Sequence, residues 1–218
     1  MVSVIFTHVR NVDMNILLQL DDESLHSVCQ VDKYTKSLCS DNVFWHLKLN
    51  KAYPGLPIPK GYQQKLKELY QILTKKDITK WAVANGHLEV LKWLAQTKNI
   101  YPSQFRATLA AMNGQLEVLK WLAGHNIYPD RAGANSAAGK GHLEVLKWLA
   151  QTRNLYPNQW GTNYAAENGQ LEVLKWLAAT INLYPDQEGT NWAANNGQLE
   201  VSEWLATTIN LYPNRRYS

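Results

Sequence analysis

Residues Leu88 to Gln96 read LEVLKWLAQ, and their apolar positions follow a helical rather than an alternating spacing. At 100° per residue, Leu88, Val90, Leu91, Trp93, Leu94 and Ala95 cover an arc of roughly 220°. Glu89, Lys92 and Gln96 fill the narrow polar stripe that remains. A helix apolar over more than half its circumference needs cover on several sides, which a stack of helical hairpins supplies. The segment recurs. GHLEVLKWLA begins at Gly86 and Gly141, GQLEVLKWLA at Gly114 and Gly169, and GQLEVSEWLA at Gly197, with spacings of 28, 27, 28 and 28 residues. Glu and Lys at i and i+3 pair across the exposed stripe of four copies.

A second helix is predicted ahead of each copy. It carries an alanine pair (Ala110-Ala111, Ala137-Ala138, Ala165-Ala166, Ala193-Ala194), small enough for two helices to approach closely. Asn-Gly after it suits a left-handed turn. After the second helix, Tyr-Pro stops the helical pattern at Pro102, Pro129, Pro157, Pro185 and Pro213. The frame is five units, 77–104, 105–131, 132–159, 160–187 and 188–215. Ser202 replaces the leucine of Leu91, Leu119, Leu146 and Leu174, which reads as the polar face of a terminal capping unit.

Residues 1–76 do not share the repeat. They divide into a helical module, 1–52, and a connector with a further helix, 53–76. NILLQL over Asn15–Leu20, an acidic start at Asp21-Asp22-Glu23, a stretch at Leu38 and an N-cap at Asp41-Asn42 predict three or four short helices. Three prolines and two glycines between Tyr53 and Gly61 predict a stiff connector. Tyr62, Leu66, Leu69, Tyr70 and Leu73 then resume helical spacing. That helix is expected to cap the first repeat.

Composition narrows the function. The chain has 218 residues, 45% hydrophobic and 18% charged, which suits a folded chain. Its net charge of +4 is dispersed, so nucleic acid is not an expected partner. No apolar run suggests a membrane span, and the N-terminus lacks a basic lead to its five-residue apolar stretch, so no secretory signal is expected. The two cysteines, Cys29 and Cys39, read as buried free thiols of an intracellular protein. No phosphate loop, G-x-S-x-G or H-E-x-x-H is present. His87 and His142 share a column with Gln115, Gln170 and Gln198, so they read as loop polar groups rather than bases or ligands. No catalytic residue, metal or cofactor is expected. The five helix tryptophans, Trp93, Trp121, Trp148, Trp176 and Trp204, read as core.

The pattern A-A-x-N-G-[HQ]-L-E-V-L-K-W-L-A resembles the helical half of an ankyrin repeat, closest to short Trp-containing repeats in giant DNA viruses. Two departures stand out. A standard unit has about 33 residues, and Trp160-Gly161-Thr162-Asn163 stands where Thr-Pro-Leu-His is usual. The resemblance implies an all-α, helical-hairpin solenoid with β-hairpin fingers shortened to loops. It also places the first helices on the concave binding face. Copies differ most at the start of those helices. There Phe105, Arg106, Asn135, Trp160, Asn163, Glu188 and Asn191 are the candidate target-binding residues, with Trp160 and Arg106 as anchors. Neutral drift between duplicated units accounts for the same differences equally well.

The order I-L-x-x-L (Ile16, Leu17, Leu20), S-L-x-x-V-C (Ser24, Leu25, Val28, Cys29), Tyr34, then F-W-x-L (Phe44, Trp45, Leu47) resembles an F-box. Val12-Asp13 stands where that family has Leu-Pro. The F-box-then-ankyrin layout is similar to that of giant-virus proteins. It implies that Ile16, Leu17, Leu20, Leu25 and Val28 dock on the Skp-type adaptor of a cullin–RING ubiquitin ligase while the repeats hold a target protein. A monomer in the cytoplasm (the host's, if viral) is expected, with the nucleus as the alternative. The competing expectation is a binding scaffold or inhibitor without a ubiquitin link, in which residues 1–76 form only a cap.

Overall fold

The computed structural model describes residues 10–75 and 77–214; the N-terminal apolar stretch, His8 and residue 215 of the fifth unit lie outside them. Among the described residues there are fifteen α-helices and no strand. The chain divides into two compact units, Met1–Ile78 with Gln96–Lys98, and Thr79–Ala95 with Asn99–Ser218.

The first unit holds α1 (Arg10–Leu17), α2 (Asp22–Val28), α3 (Lys33–Leu38), α4 (Asn42–Ala52) and α5 (Leu66–Lys75). Three of them start where an aspartate accepts a backbone N–H: Asp21 from Ser24, Asp32 from Thr35 and Asp41 from Val43, at 2.8, 2.8 and 2.7 Å. Such a cap satisfies a donor that the first turn leaves without a partner. The first helix starts five residues earlier than the apolar spacing predicts. It buries Asp13 completely, and Tyr34 Oη donates to the Asp13 carboxylate at 2.6 Å, tying α3 to α1. Met14, Leu17, Leu25, Leu38, Phe44 and Leu49 form the core of the unit.

Residues of the expected connector belong to this same compact unit. Leu56, Leu66, Leu69 and Tyr70 are buried, and the Asn42 side chain on α4 donates to the Gln63 carbonyl at 2.7 Å. Tyr70 also packs on Trp45 at 5.4 Å between ring centres. The apolar face of α5 is thus applied to α4. Burial and a hydrogen bond from Tyr70 Oη to Asp22 (2.9 Å) push the Tyr70 phenol well above its ordinary pKa.

The two cysteines correct the expectation of free thiols: Cys29 and Cys39 form a disulfide, with Cα atoms 5.9 Å apart. They are the C-cap residues of α2 and α3. The turn between those short helices brings the two ends together, which spacing alone does not reveal. Cross-linking cysteines 10 residues apart stabilises by about 2–3 kcal/mol through the entropy of the open chain.

The second unit is the repeat array. Its helix pairs are α6 (Ile78–Ala84) with α7 (Leu88–Lys98), α8 (Gln104–Met112) with α9 (Leu116–Ala123), and α10 (Arg131–Gly139) with α11 (Leu143–Arg153). They continue with α12 (Gln159–Glu167) and α13 (Leu171–Ile181), then α14 (Gln187–Asn195) and α15 (Leu199–Ile209). This is an all-α helical-hairpin solenoid, and its inter-unit connections contain no strand. First helices pack on first helices, α8 on α10, α10 on α12 and α12 on α14. Fully buried alanines make this spacing possible: Ala107, Ala110, Ala134, Ala137, Ala165 and Ala193. Gly161 sits so close to α10 that a Cβ there would meet Asn135 Cα at 2.8 Å.

The leucine column behaves as its periodicity predicts. Leu91, Leu119, Leu146 and Leu174 are fully buried, whereas Ser202 is half-buried and its hydroxyl bonds back to Gln198 O at 3.1 Å. The second helices end on a feature that the Tyr-Pro signal overshadows in the sequence. Asn99, Asn126, Asn154, Asn182 and Asn210 all take a left-handed φ of 51–60°. Asparagine tolerates that conformation better than other side chains. The tryptophans are a partial correction. Trp93 is buried, but Trp121, Trp148, Trp176 and Trp204 are only half-buried. They lie at the edge of the apolar arc, where tyrosines of the preceding unit stack on three of them. Tyr101 covers Trp121, Tyr156 covers Trp176 and Tyr184 covers Trp204, at 5.9–6.4 Å. At the remaining joint the Arg153 guanidinium lies 4.3 Å from the Tyr128 ring centre.

Candidate binding surface

Each first helix offers the array two kinds of position: those facing a neighbouring unit and those left facing outward. The asparagine column belongs to the first kind. The Asn135 side-chain oxygen accepts the backbone N–H of Asn158 at 2.9 Å, and Asn163 accepts that of Asp186 at 3.1 Å. Asn191 accepts that of Asn214 at 2.9 Å. Asn163 also donates to the Asp186 carboxylate at 2.8 Å. In the second unit of the repeat, Thr108 Oγ1 takes the same place, accepting from Asp130 N at 3.3 Å. Asn135 and Asn163 are 7% and 3% exposed. These two candidate target-binding residues therefore have almost no surface to offer a partner; they hold the next unit's first helix at its N-cap.

The histidine and glutamine column joins units in a similar way. Gln115 Nε2 donates to Ala84 O at 3.2 Å, and Gln198 Nε2 to Glu167 O at 3.1 Å. His142 hydrogen-bonds the Met112 backbone. Burial holds the His87 and His142 imidazoles below their ordinary pKa, so both are neutral at neutral pH, His142 as a joint to the preceding unit. Among the described residues no group of His, Cys, Asp or Glu could hold a metal ion.

The outward positions are Phe105, Ala132, Trp160 and Glu188, which head α8, α10, α12 and α14 in register. One turn later come Leu109, Ser136, Tyr164 and Trp192. Phe105 is 69% exposed and Trp160 52%, and Glu188 is exposed too. Arg106 is half-buried, its guanidinium 5.5 Å from the Phe105 ring centre. Trp160 stacks on Tyr164 at 5.3 Å with the rings 28° apart. Tyr164 in turn lies against Gly139 at the end of α10, where any side chain would occupy the space of the ring. The stack is thus a rigid apolar platform braced by the neighbouring helix. Tyr164 is a candidate position that copy comparison underrates. It is visible as the i+4 partner of Trp160, since residues four apart share a helix face.

In the first unit the five candidate docking residues separate. Leu17 and Leu25 are 0% and 3% exposed and belong to the core, so they cannot present a surface. Ile16, Leu20 and Val28 are half-buried. Val12, exposed by 44%, lies four residues before Ile16 on α1. No helix among the described residues is long and apolar enough to cross a membrane.

No curated protein matches the chain. Residues 107–187, from within α8 to the start of α14, match the family model for ankyrin repeats in 3 copies. Over that stretch the array is similar to ankyrin repeats.

Proposed function

We propose that the chain is a non-enzymatic adaptor that holds a target protein on its first-helix face and recruits a Skp-type ligase adaptor through its first unit. The observation that carries the target half is the Trp160–Tyr164 stack. Thr108, Asn135, Asn163 and Asn191 of the first helices are engaged in joints between units, yet the Trp160 ring is left exposed and braced by half-buried Tyr164. Aromatic anchors of that kind dominate binding energy at protein interfaces. Phe105 with Arg106 on one side and Glu188 on the other extend the face with groups of different chemistry. Ubiquitin transfer would be done by other subunits, and the chain would act by bringing substrate near.

For the recruiting half, the reading rests on Ile16, Leu20 and Val28, because Leu17 and Leu25 are buried. The test is a titration of the full chain against a eukaryotic Skp-type adaptor. The expected result is a Kd of about 1 μM or tighter, weakened at least tenfold by Ile16→Asp in a chain that keeps its helical circular dichroism. No binding by the folded wild-type chain overturns the recruiting half. For the target half, Trp160→Ala should lower capture of any partner by about 2 kcal/mol. Capture that survives both Trp160→Ala and Phe105→Ala overturns the face.

A further inference from the structure

We infer that Cys29 is a thiol-exchange site, through which a small-molecule thiol opens the Cys29–Cys39 disulfide. The two sulfurs are unequally placed. Cys39 is 2% exposed, and its carbonyl is held at 2.7 Å by the buried Trp45 indole N–H. Cys29 is half-buried and lines a cavity of about 580 Å³ whose wall also includes Trp45 and Tyr70. That volume lies within the usual range of small-molecule sites. Glu23, His26, Lys67 and Gln71 stand around it, so a small zwitterionic thiol finds both charges answered.

Attack is directional for this reason. A thiolate RS⁻ reaches Cys29 Sγ from the cavity, the RS–Cys29 bond forms, and the bond to Cys39 Sγ breaks. Cys39 leaves as a thiolate and takes a proton from water. A second RSH then attacks the mixed disulfide, releasing RSSR and the Cys29 thiol. Two thiols are oxidised and one disulfide is reduced. Opening releases the clamp between the ends of α2 and α3, helices of 7 and 6 residues that are too short to stand alone. The inference does not rest on the ligase reading. Where both hold, the state of Cys29 sets how firmly α2 presents Val28.

The test uses the full chain purified without reductant, exposed to reduced glutathione, then quenched, alkylated and mapped by peptide mass. The expected product carries glutathione on Cys29 and the alkyl group on Cys39. In the variants Cys39→Ser and Cys29→Ser, the remaining thiol should alkylate about tenfold faster at Cys29 than at Cys39. Three results overturn the inference: glutathione on Cys39, a disulfide untouched by glutathione, or two free thiols in the chain purified without reductant. The mapping needs no substitution, so it decides the matter even where a variant folds poorly.

Discussion

In the array, each short helix is held by contacts that recur every 27 or 28 residues: an asparagine on the next N-cap, a glutamine or histidine over the preceding turn, a tyrosine on the next tryptophan. Among the described residues of the first unit, the aspartate N-caps recur but the contacts that tie one helix to another do not. Asp13 with Tyr34, Asp22 with Tyr70 and Lys48 (Nζ at 3.0 Å), and Cys29 with Cys39 each occur once. Both regions are built from helices too short to be stable in isolation. The array distributes the burden over equivalent joints, so a fault is local. The N-terminal unit concentrates it in a few singular ones, so a fault reaches the whole unit.

The largest expected effect comes from the cores. Leu146→Ala, in the fully buried leucine column, should cost about 3 kcal/mol in urea unfolding, and Leu17→Ala about the same in the first unit. The comparison predicts different signatures. Loss at Leu146 should broaden the array's transition, while loss at Leu17 should shift that of the first unit as a whole. If both substitutions give the same single shift, the two regions are not energetically distinct.

Next in size are the turns. Gly169 has φ +70°, and a Cβ there meets the Gln198 side-chain amide, which bonds the Glu167 carbonyl of the preceding unit. Gly197 has φ +69° and open space. Gly169→Ala should cost about 2–3 kcal/mol, strain plus displaced joint, and Gly197→Ala about 1 kcal/mol, strain alone. Equal losses in thermal unfolding would remove the glutamine column from the list of joints.

Single hydrogen bonds follow. Asn163→Ala leaves the Asp186 N–H without its acceptor and should cost about 2 kcal/mol; Tyr34→Phe withdraws a donor from buried Asp13 and should cost about 1–2 kcal/mol. Hydrogen exchange separates them. The first should open amides of α14 alone, and the second should open amides across α1 and α3.

The smallest effect is that of pH. Burial lowers the His142 pKa in the fold below the ordinary 6.5. The unfolded chain therefore takes up the proton first. Stability is full above pH 6.5 and falls as pH drops through the interval between that value and the folded pKa. His142→Gln, the residue used by three other units, should flatten the melting temperature over that interval while leaving it unchanged at pH 8. A variant with an unaltered slope would show that His142 is not a source of it.

Helix pairs, turns and the buried leucine column were legible because they follow from periodicity, which sequence carries directly. The binding surface was half legible. Of the two expected anchors, Trp160 is exposed and Arg106 is half-buried beside the exposed Phe105 ring. Asn135 and Asn163 stood beside them in the same variable stretch, but their partners lie 23 residues on, at a backbone N–H that no residue type marks. A side chain that bonds main chain leaves no covarying letter. The disulfide was hidden for a related reason, since the bend between α2 and α3 decides whether two cysteines meet, and ten residues of spacing allow either outcome. Tryptophan burial was overstated because an arc computed around one helix does not tell which edge meets solvent.

The asparagine joint has a consequence for ancestry. The third, fourth and fifth units each bring an acceptor in the middle of the first helix and a matching donor at that helix's start, so each carries both plug and socket. A stretch of DNA copied in frame from one Tyr-Pro to the next inserts a piece already fitted on both sides. Lengthening such a chain needs no invention at the seam, which leaves mutation free to work on the outward rings.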